Sequence, residues 1–264
     1  MSALATAPAP ALVHRSLYDA VLFDLDGVLT ETAALHASCW KQAFDPFLAA
    51  WARRFRRVQP PFDIGDYVAY VDGKPREDGA RDFLRSRAID LPEGRADTPP
   101  GEWSVNGIAN AKQALFERAL RRHWIGAFPG SVRWVHHLRR AGLATAVVSS
   151  STNCTDVLRA AGIADLFDVV VDGHDTATLG LSGKPALDGY LEPAARLGVA
   201  PERAVVVEDA LTGVAAGRAG RFGLVIGVAR AGACHEDLFA AGADAVVDDL
   251  AELVPQPRDP MPPR

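Results

Sequence analysis

The chain has 264 residues, enough for one large domain or two modest ones. Hydrophobic residues make up 48% and charged residues 23%, the proportions of a globular protein with an ample core, which excludes wholesale disorder. With 33 acidic against 28 basic residues and a net charge of −5, it lacks the clustered basic excess that nucleic-acid binding requires. No apolar run approaches the roughly 20 residues that span a bilayer. The first residues, MSALATAPAPALVHRS, carry no positive region ahead of an apolar stretch, so they do not read as a secretory signal. The expectation is a cytoplasmic protein with neither a membrane nor a nucleic-acid partner. Cys39, Cys154 and Cys234 form no CxxC pair, which argues against a disulfide framework and a zinc site.

Residues 1–16 are rich in Ala and Pro and read as a disordered tail, as does 255–264, with its prolines. A short apolar run, AVLF at 20–23, is followed at once by Asp24-Leu25-Asp26-Gly27. Residues 31–126 contain no buried-strand run but show helical patterns at 33–55, 79–87 and 111–124, with a Pro/Gly-rich loop at 89–103. From 143 onward, nearly continuous apolar runs at 143–148, 168–171, 204–207, 223–228 and 244–247 alternate with helical stretches, most of which end in Gly. Strands that read apolar on both faces are covered by helices on both sides. The pattern therefore predicts a doubly wound, Rossmann-like parallel α/β sheet. The helical segment after the first strand predicts a small second domain, with its exit near Pro129-Gly130.

Ligands of open α/β sheets bind beyond the carboxyl ends of the strands. The residues just past each run are therefore informative: Asp24 and Asp26, then Ser149-Ser150-Ser151, then Glu208-Asp209. Lys184 lies in the connection after the 168–171 run, before Pro185, which reads as a first helical residue. Each feature alone has a structural explanation. Asp-x-Asp-Gly suits a turn, Ser149 a cap, Lys184 a solvated surface, and Glu208-Asp209 the start of a helix. Together they gather four carboxylates, a hydroxyl and a lysine on one sheet edge. Such a concentration of negative charge calls for a cation, and hard oxygen donors favour Mg2+.

The strings FDLDGVLTET, SSSTN, GKPALD and VEDALTG resemble the four motifs of the haloacid dehalogenase superfamily, and within it the β-phosphoglucomutase subgroup. The resemblance covers nearly the whole core and implies that residues 17–30 and 127–254 form a catalytic core, with 31–126 inserted as a mostly helical cap. It implies Asp24 as the nucleophile that forms an aspartyl phosphate and Asp26 as the general acid/base. Ser149 and Lys184 would hold the transferring phosphoryl group. Asp24, the Asp26 carbonyl and Asp209 would bind Mg2+, with Glu208 assisting. Because halide leaves without a proton, the presence of Asp26 argues against dehalogenation.

His36 and Trp40, four residues apart, share one face of the first cap helix. The resemblance places both at the hinge and sugar site. In DGKPREDG (72–79), Arg76 matches an arginine that grips the distal phosphate of the substrate; the alternative is an arginine solvated beside Glu77 and Asp78. Lys112 matches a cap lysine, although Ala111 and Gln113 depart from the usual Arg and Asn. Ser151 and Asn153 match residues that help to hold the distal phosphate, and Thr152 stands where a lysine is often found. The cap is also longer than usual around 45–65 and 90–106. The implied function is Mg2+-dependent phosphoryl transfer by a monomer acting on a sugar phosphate, with β-glucose 1-phosphate converted to glucose 6-phosphate. The alternatives are a sugar-phosphate phosphatase and, last, a non-catalytic phosphosugar-binding protein.

Overall fold

The computed structural model describes residues 12–122, 125–230 and 233–255. Six strands form one parallel sheet: β1 (Ala20–Asp24), β2 (Ala144–Val148), β3 (Val169–Val171), β4 (Ala204–Glu208), β5 (Leu224–Val228) and β6 (Ala245–Val247), in the order β3-β2-β1-β4-β5-β6. All six fall on the predicted apolar runs. Alternate residues of β1 enter different cores. Val21 and Phe23 pack with Val205, Val207 and Trp134 on one face, whereas Ala20 and Leu22 pack with Val206, Tyr190 and Val214 on the other. Burial on both faces explains why the strands read as unbroken apolar runs. The strand order reverses between β1 and β4, and the crevice beyond their carboxyl ends is the usual ligand position in such sheets. Asp24 ends β1 and Glu208 ends β4, so both carboxylates stand at that crevice.

Between β1 and β2 the chain forms α1 (Ala33–Phe55), α2 (Ile64–Asp66) continuing into a π-helical turn (Tyr67–Val71), α3 (Arg76–Ser86), α4 (Val105–Leu120) and α5 (Pro129–Arg140). Helices α1 to α4 bury their own apolar cluster, which includes Trp40, Phe44, Phe62, Phe83 and Ile108. Phe44 lies at its centre, with ring centroids 4.3 Å from Phe83 and 5.0 Å from Trp40. Truncating a ring buried in this way costs about 3–5 kcal/mol. The segment 89–103 holds no helix or strand, as its Pro and Gly content predicts.

The outgoing and returning chains pair beside the sheet. Glu31 N–H donates to Gly126 O and Phe128 N–H to Leu29 O, each at 2.9 Å. The remaining helices are α6 (Cys154–Ala160), α7 (Gly173–Leu179), α8 (Asp188–Leu197), α9 (Leu211–Ala219) and α10 (His235–Ala241). Helix α7 is absent from the sequence reading, although Asp172 and Asp175 form a capping box at its start.

Two local readings are corrected. Pro185 does not open a helix: Lys184-Pro185 is a cis peptide in a turn, and α8 begins at Asp188. Leu12 and Val13 pack against the core, and Arg203 donates to Ser16 O at 3.2 Å, so residues 12–16 are held by the fold. The tail readings for 1–11 and 256–264 lie outside the described residues. Among the described residues no helix is long and apolar enough to cross a membrane. Cys39 and Cys154 are buried free thiols, and Cys234 is an exposed one.

Candidate active site

A cavity of about 620 Å³ lies between the carboxyl edge of the sheet and the inserted helices. From the sheet side, Asp24, Asp26, Asp209 and Ser151 line it; from the helices, His36, Trp40, Lys112 and Arg76 do so. Ser149, Lys184 and Glu208 are buried in the adjoining core, and Asn153 is buried beside Ser151.

Lys184 organises the floor. Its ammonium donates to Asp24 Oδ1 at 2.5 Å and also to Glu208 Oε1. Glu208 Oε1 also accepts from the Tyr190 hydroxyl at 2.8 Å, and its Oε2 accepts from Ala210 N–H at 3.0 Å. Glu208 therefore has both oxygens committed to protein donors. Burial opposes the charge on Lys184, but Asp24 and Glu208 outweigh it and hold the amine above its ordinary range, fully protonated.

Burial pushes the Asp24 and Asp209 carboxyls up, and neighbouring carboxylates push them further; Lys184 opposes this at both. Asp72 adds a carboxyl from the inserted helices, pushed up to about 6, chiefly by burial. Asp24, Glu208 and Asp209 bring ligand oxygens within 4.8 Å of one another. Among the described residues the Asp209 side chain accepts no hydrogen bond, in contrast to Glu208. Crowded carboxylates with one uncommitted member suit a hard divalent cation. Gly27 makes this proximity possible: its φ is +87°, and a Cβ there would collide with the Asp209 carboxylate.

Asp26 has a different environment. Its Oδ1 accepts from the Thr32 hydroxyl, and His36 Nε2 lies 3.2 Å away but off the line of a hydrogen bond. Burial alone would raise the Asp26 carboxyl; His36, Thr32 and Lys112 together bring it down to about 2. Lys112 Nζ lies 2.7 Å from His36 Nδ1. Burial lowers the Lys112 ammonium to about 8. It also lowers His36, with Lys112 adding to the effect.

Ser149 Oγ accepts from Ser151 N–H at 3.1 Å, which leaves its own O–H as a donor. Ser151 Oγ accepts from Asn153 N–H at 3.1 Å. Trp40 stacks on Phe44 at the cavity wall, with Lys112 Nζ 5.5 Å from its ring. The Arg76 guanidinium lies 2.8 Å from Glu77 Oε1, and its Nη1 donates to Thr152 Oγ1 at 3.3 Å, so it meets both the alternative partner and the opposite wall. Gln113 and Asn153 exchange side-chain hydrogen bonds at 3.0 and 3.3 Å.

Neither Thr32 nor Tyr190 is singled out in the sequence reading, and Gln113 enters it only as a departure from the family pattern. A threonine before a helix and a tyrosine on an apolar face look like cap and core, and only the fold turns their hydroxyls toward Asp26 and Glu208.

A buried strand-end aspartate held by lysine, with a second aspartate two residues on and inserted helices above, defines an enzyme class. The chain belongs to the haloacid dehalogenase-like hydrolase family, whose model matches residues 18–221. Among its relatives, the protein named beta-phosphoglucomutase from Mycobacterium tuberculosis (strain CDC 1551 / Oshkosh) is 48% identical over 238 residues, 89% of this chain and 91% of its own. Validoxylamine A 7'-phosphate phosphatase of Streptomyces hygroscopicus subsp. limoneus is 28% identical over 240 residues, 90% of this chain and 96% of its own. The solved structure of CbbY from Rhodobacter sphaeroides in complex with phosphate superposes with a TM-score of 0.67 at 29% identity. It covers 89% of this chain and 96% of that one. The chain is thus an enzyme of the phosphatase and phosphomutase kind.

Proposed function

We propose that the enzyme isomerises β-glucose 1-phosphate to glucose 6-phosphate by Mg2+-dependent phosphoryl transfer through Asp24. Residues 31–126 act as the cap, and 17–30 with 127–254 as the catalytic core. The observation that carries this reading is the two-sided cavity. Core carboxylates line one side, with Lys184 bonded to Asp24 beneath them, while Arg76 and Lys112 offer cations on the cap side. A mutase must hold two phosphates at once. The relative named beta-phosphoglucomutase, at 48% identity, supports the same choice.

Asp24, Asp209 and the Asp26 carbonyl would hold Mg2+, which when bound offsets the negative charge of the phosphoryl group. Glu208 instead fixes Lys184, whose ammonium faces the nucleophile and counters transition-state charge. In the first half-reaction the sugar's C6 hydroxyl attacks phospho-Asp24. Asp26, ionised at the start, takes the hydroxyl proton as the bond from phosphorus to Asp24 breaks. The bisphosphate then presents its 1-phosphate. Asp24 attacks that phosphorus, Asp26 returns the proton to the leaving O1, and glucose 6-phosphate and phospho-Asp24 result. A positioned acid/base of this kind contributes about 10²–10⁴-fold. His36 and Trp40 shape the sugar side of the cavity, and Ser149 donates to the transferring group. Ser151 and Asn153 assist at the distal phosphate.

The second reading, a sugar-phosphate phosphatase, is favoured by Thr152, which leaves the distal site one cation short, and by the phosphatase among the relatives. The deciding experiment incubates the protein with Mg2+, β-glucose 1-phosphate and a trace of glucose 1,6-bisphosphate. Glucose 6-phosphate without matching free phosphate is the expected result. Free phosphate alone installs the phosphatase, and no turnover leaves a binding protein.

A further inference from the structure

Two core hydroxyls donate to two consecutive cap carbonyls. Ser150 Oγ, in the loop after β2, donates to Gly73 O at 2.8 Å. Thr212 Oγ1, in the first turn of α9, donates to Asp72 O at 2.9 Å. One donor follows β2 and the other follows β4, the two neighbours of β1, so the cap loop is held from both sides of the strand that carries Asp24. The loop is shaped to its seat. Gly73 has a φ of +73°, and a Cβ there would collide with Thr212 Oγ1 and press on Ala210 Cβ at 3.0 Å. At the next core loop, a Cβ on Gly183 would collide with Pro75.

We propose that Ser150 and Thr212 form a latch that keeps the cap closed over Asp24 and so limits the access of water to the aspartyl phosphate. This deepens the phosphoryl-transfer reading above and rests on it. Both bonds exist only with the cap down; with the cap raised, all four groups return to water. A neutral hydrogen bond of this kind favours the closed form by about two- to tenfold, and the pair by about five- to a hundredfold. The Arg76–Thr152 and Gln113–Asn153 contacts are different, because they occupy groups that a distal phosphate would engage. The latch needs no ligand. It governs a side reaction in which a water oxygen bonds to phosphorus as the bond to Asp24 breaks. The carboxylate is regenerated, the water's proton passes to Asp26, and inorganic phosphate leaves.

The test uses the full chain carrying Ser150→Ala and Thr212→Val together. Hydrogen exchange over residues 70–76 is measured with no phosphate donor present. The lifetime of the phosphoenzyme formed from acetyl phosphate and Mg2+ is measured separately. Faster exchange and a phosphoenzyme lifetime shortened about five- to a hundredfold are expected, with phosphoenzyme formation no slower than in the wild type. Gly73→Ala reaches the same end by another route, wedging the loop off Thr212 while both hydroxyls remain, and should shorten the lifetime as well. Unchanged exchange in both variants, or faster exchange with an unchanged lifetime, overturns the latch. A wild-type protein that forms no phosphoenzyme overturns the function reading and with it the role in excluding water. The exchange measurement then still decides whether the two hydroxyls hold the cap.

Discussion

Lys112 on α4 and His36 on α1 meet at 2.7 Å between Nζ and Nδ1. An ammonium can only donate, so Nδ1 is the bare nitrogen and the ring proton sits on Nε2, which faces Asp26. One neutral imidazole thus stands between the Lys112 ammonium and the Asp26 carboxylate.

Asp24→Asn should abolish phosphoenzyme formation while the fold persists. Asp26→Asn should keep metal binding, because the expected ligand there is a backbone carbonyl. It should lose about 10²–10⁴-fold in rate with poor leaving groups and much less with an activated aryl phosphate. Rapid-quench assays on both ester types check this, and equal losses would count against Asp26 as the proton donor.

Chelation by EDTA should silence the enzyme and Mg2+ restore it. Asp209→Ala should weaken metal affinity, measured by titration calorimetry, more than Glu208→Ala does, because both Glu208 oxygens already serve Lys184, Tyr190 and Ala210. Glu208→Ala should instead impair turnover at saturating metal. The reverse ranking of affinities would make Glu208 the ligand.

Arg76→Ala removes a charge-assisted grip worth about 1.5–3 kcal/mol, roughly ten- to a hundredfold in affinity. Isomerisation of β-glucose 1-phosphate should fall by about that factor, while hydrolysis of acetyl phosphate, which has no second phosphate, stays nearly normal. Arg76→Lys should recover part of the loss, since an ammonium lacks the planar fork. Equal loss on both substrates would mark Arg76 as a structural partner of Glu77.

Lys112 gives the pH dependence. Its ammonium titrates near 8 in the free enzyme, lowered mainly by burial, with Asp26, Cys39 and Glu77 pulling the other way and Arg76 adding to the lowering. The grip on phosphate is present below that value and fades above it, so kcat/KM should fall through about pH 8. Lys112→Arg should move that limb upward. The stability sign is opposite. An unfolded lysine still holds its proton between about 8 and 10.5, so this group destabilises the fold fully below 8, and the penalty disappears toward 10.5. Lys112→Met should therefore raise Tm at pH 7 and lose that advantage near pH 10.5. A Tm gain that does not change with pH would show packing, not charge, at work.

The strands, their order of appearance and the residues at their ends were legible in the sequence, because burial on both faces and short strand-to-helix turns leave local marks. Asp24, Ser149 and Glu208-Asp209 could be found in that way, since each stands at a strand end or just past one, whereas Lys184 lies beyond α7 in the connection after β3. The fit of the cap could not be read. Thr32, Tyr190, Gln113, Ser150 and Thr212 act through hydroxyl or amide hydrogen bonds, and those of Gln113, Ser150 and Thr212 join segments far apart in the chain. No periodicity announces contacts between residues 77 or 140 positions apart. The sequence by itself determined the sheet and the polar residues along its carboxyl edge, for those follow from local pattern. Which of them hold a neighbour and which stay uncommitted was decided only where distant segments meet, because hydrogen-bond geometry and steric fit exist only between segments already folded together.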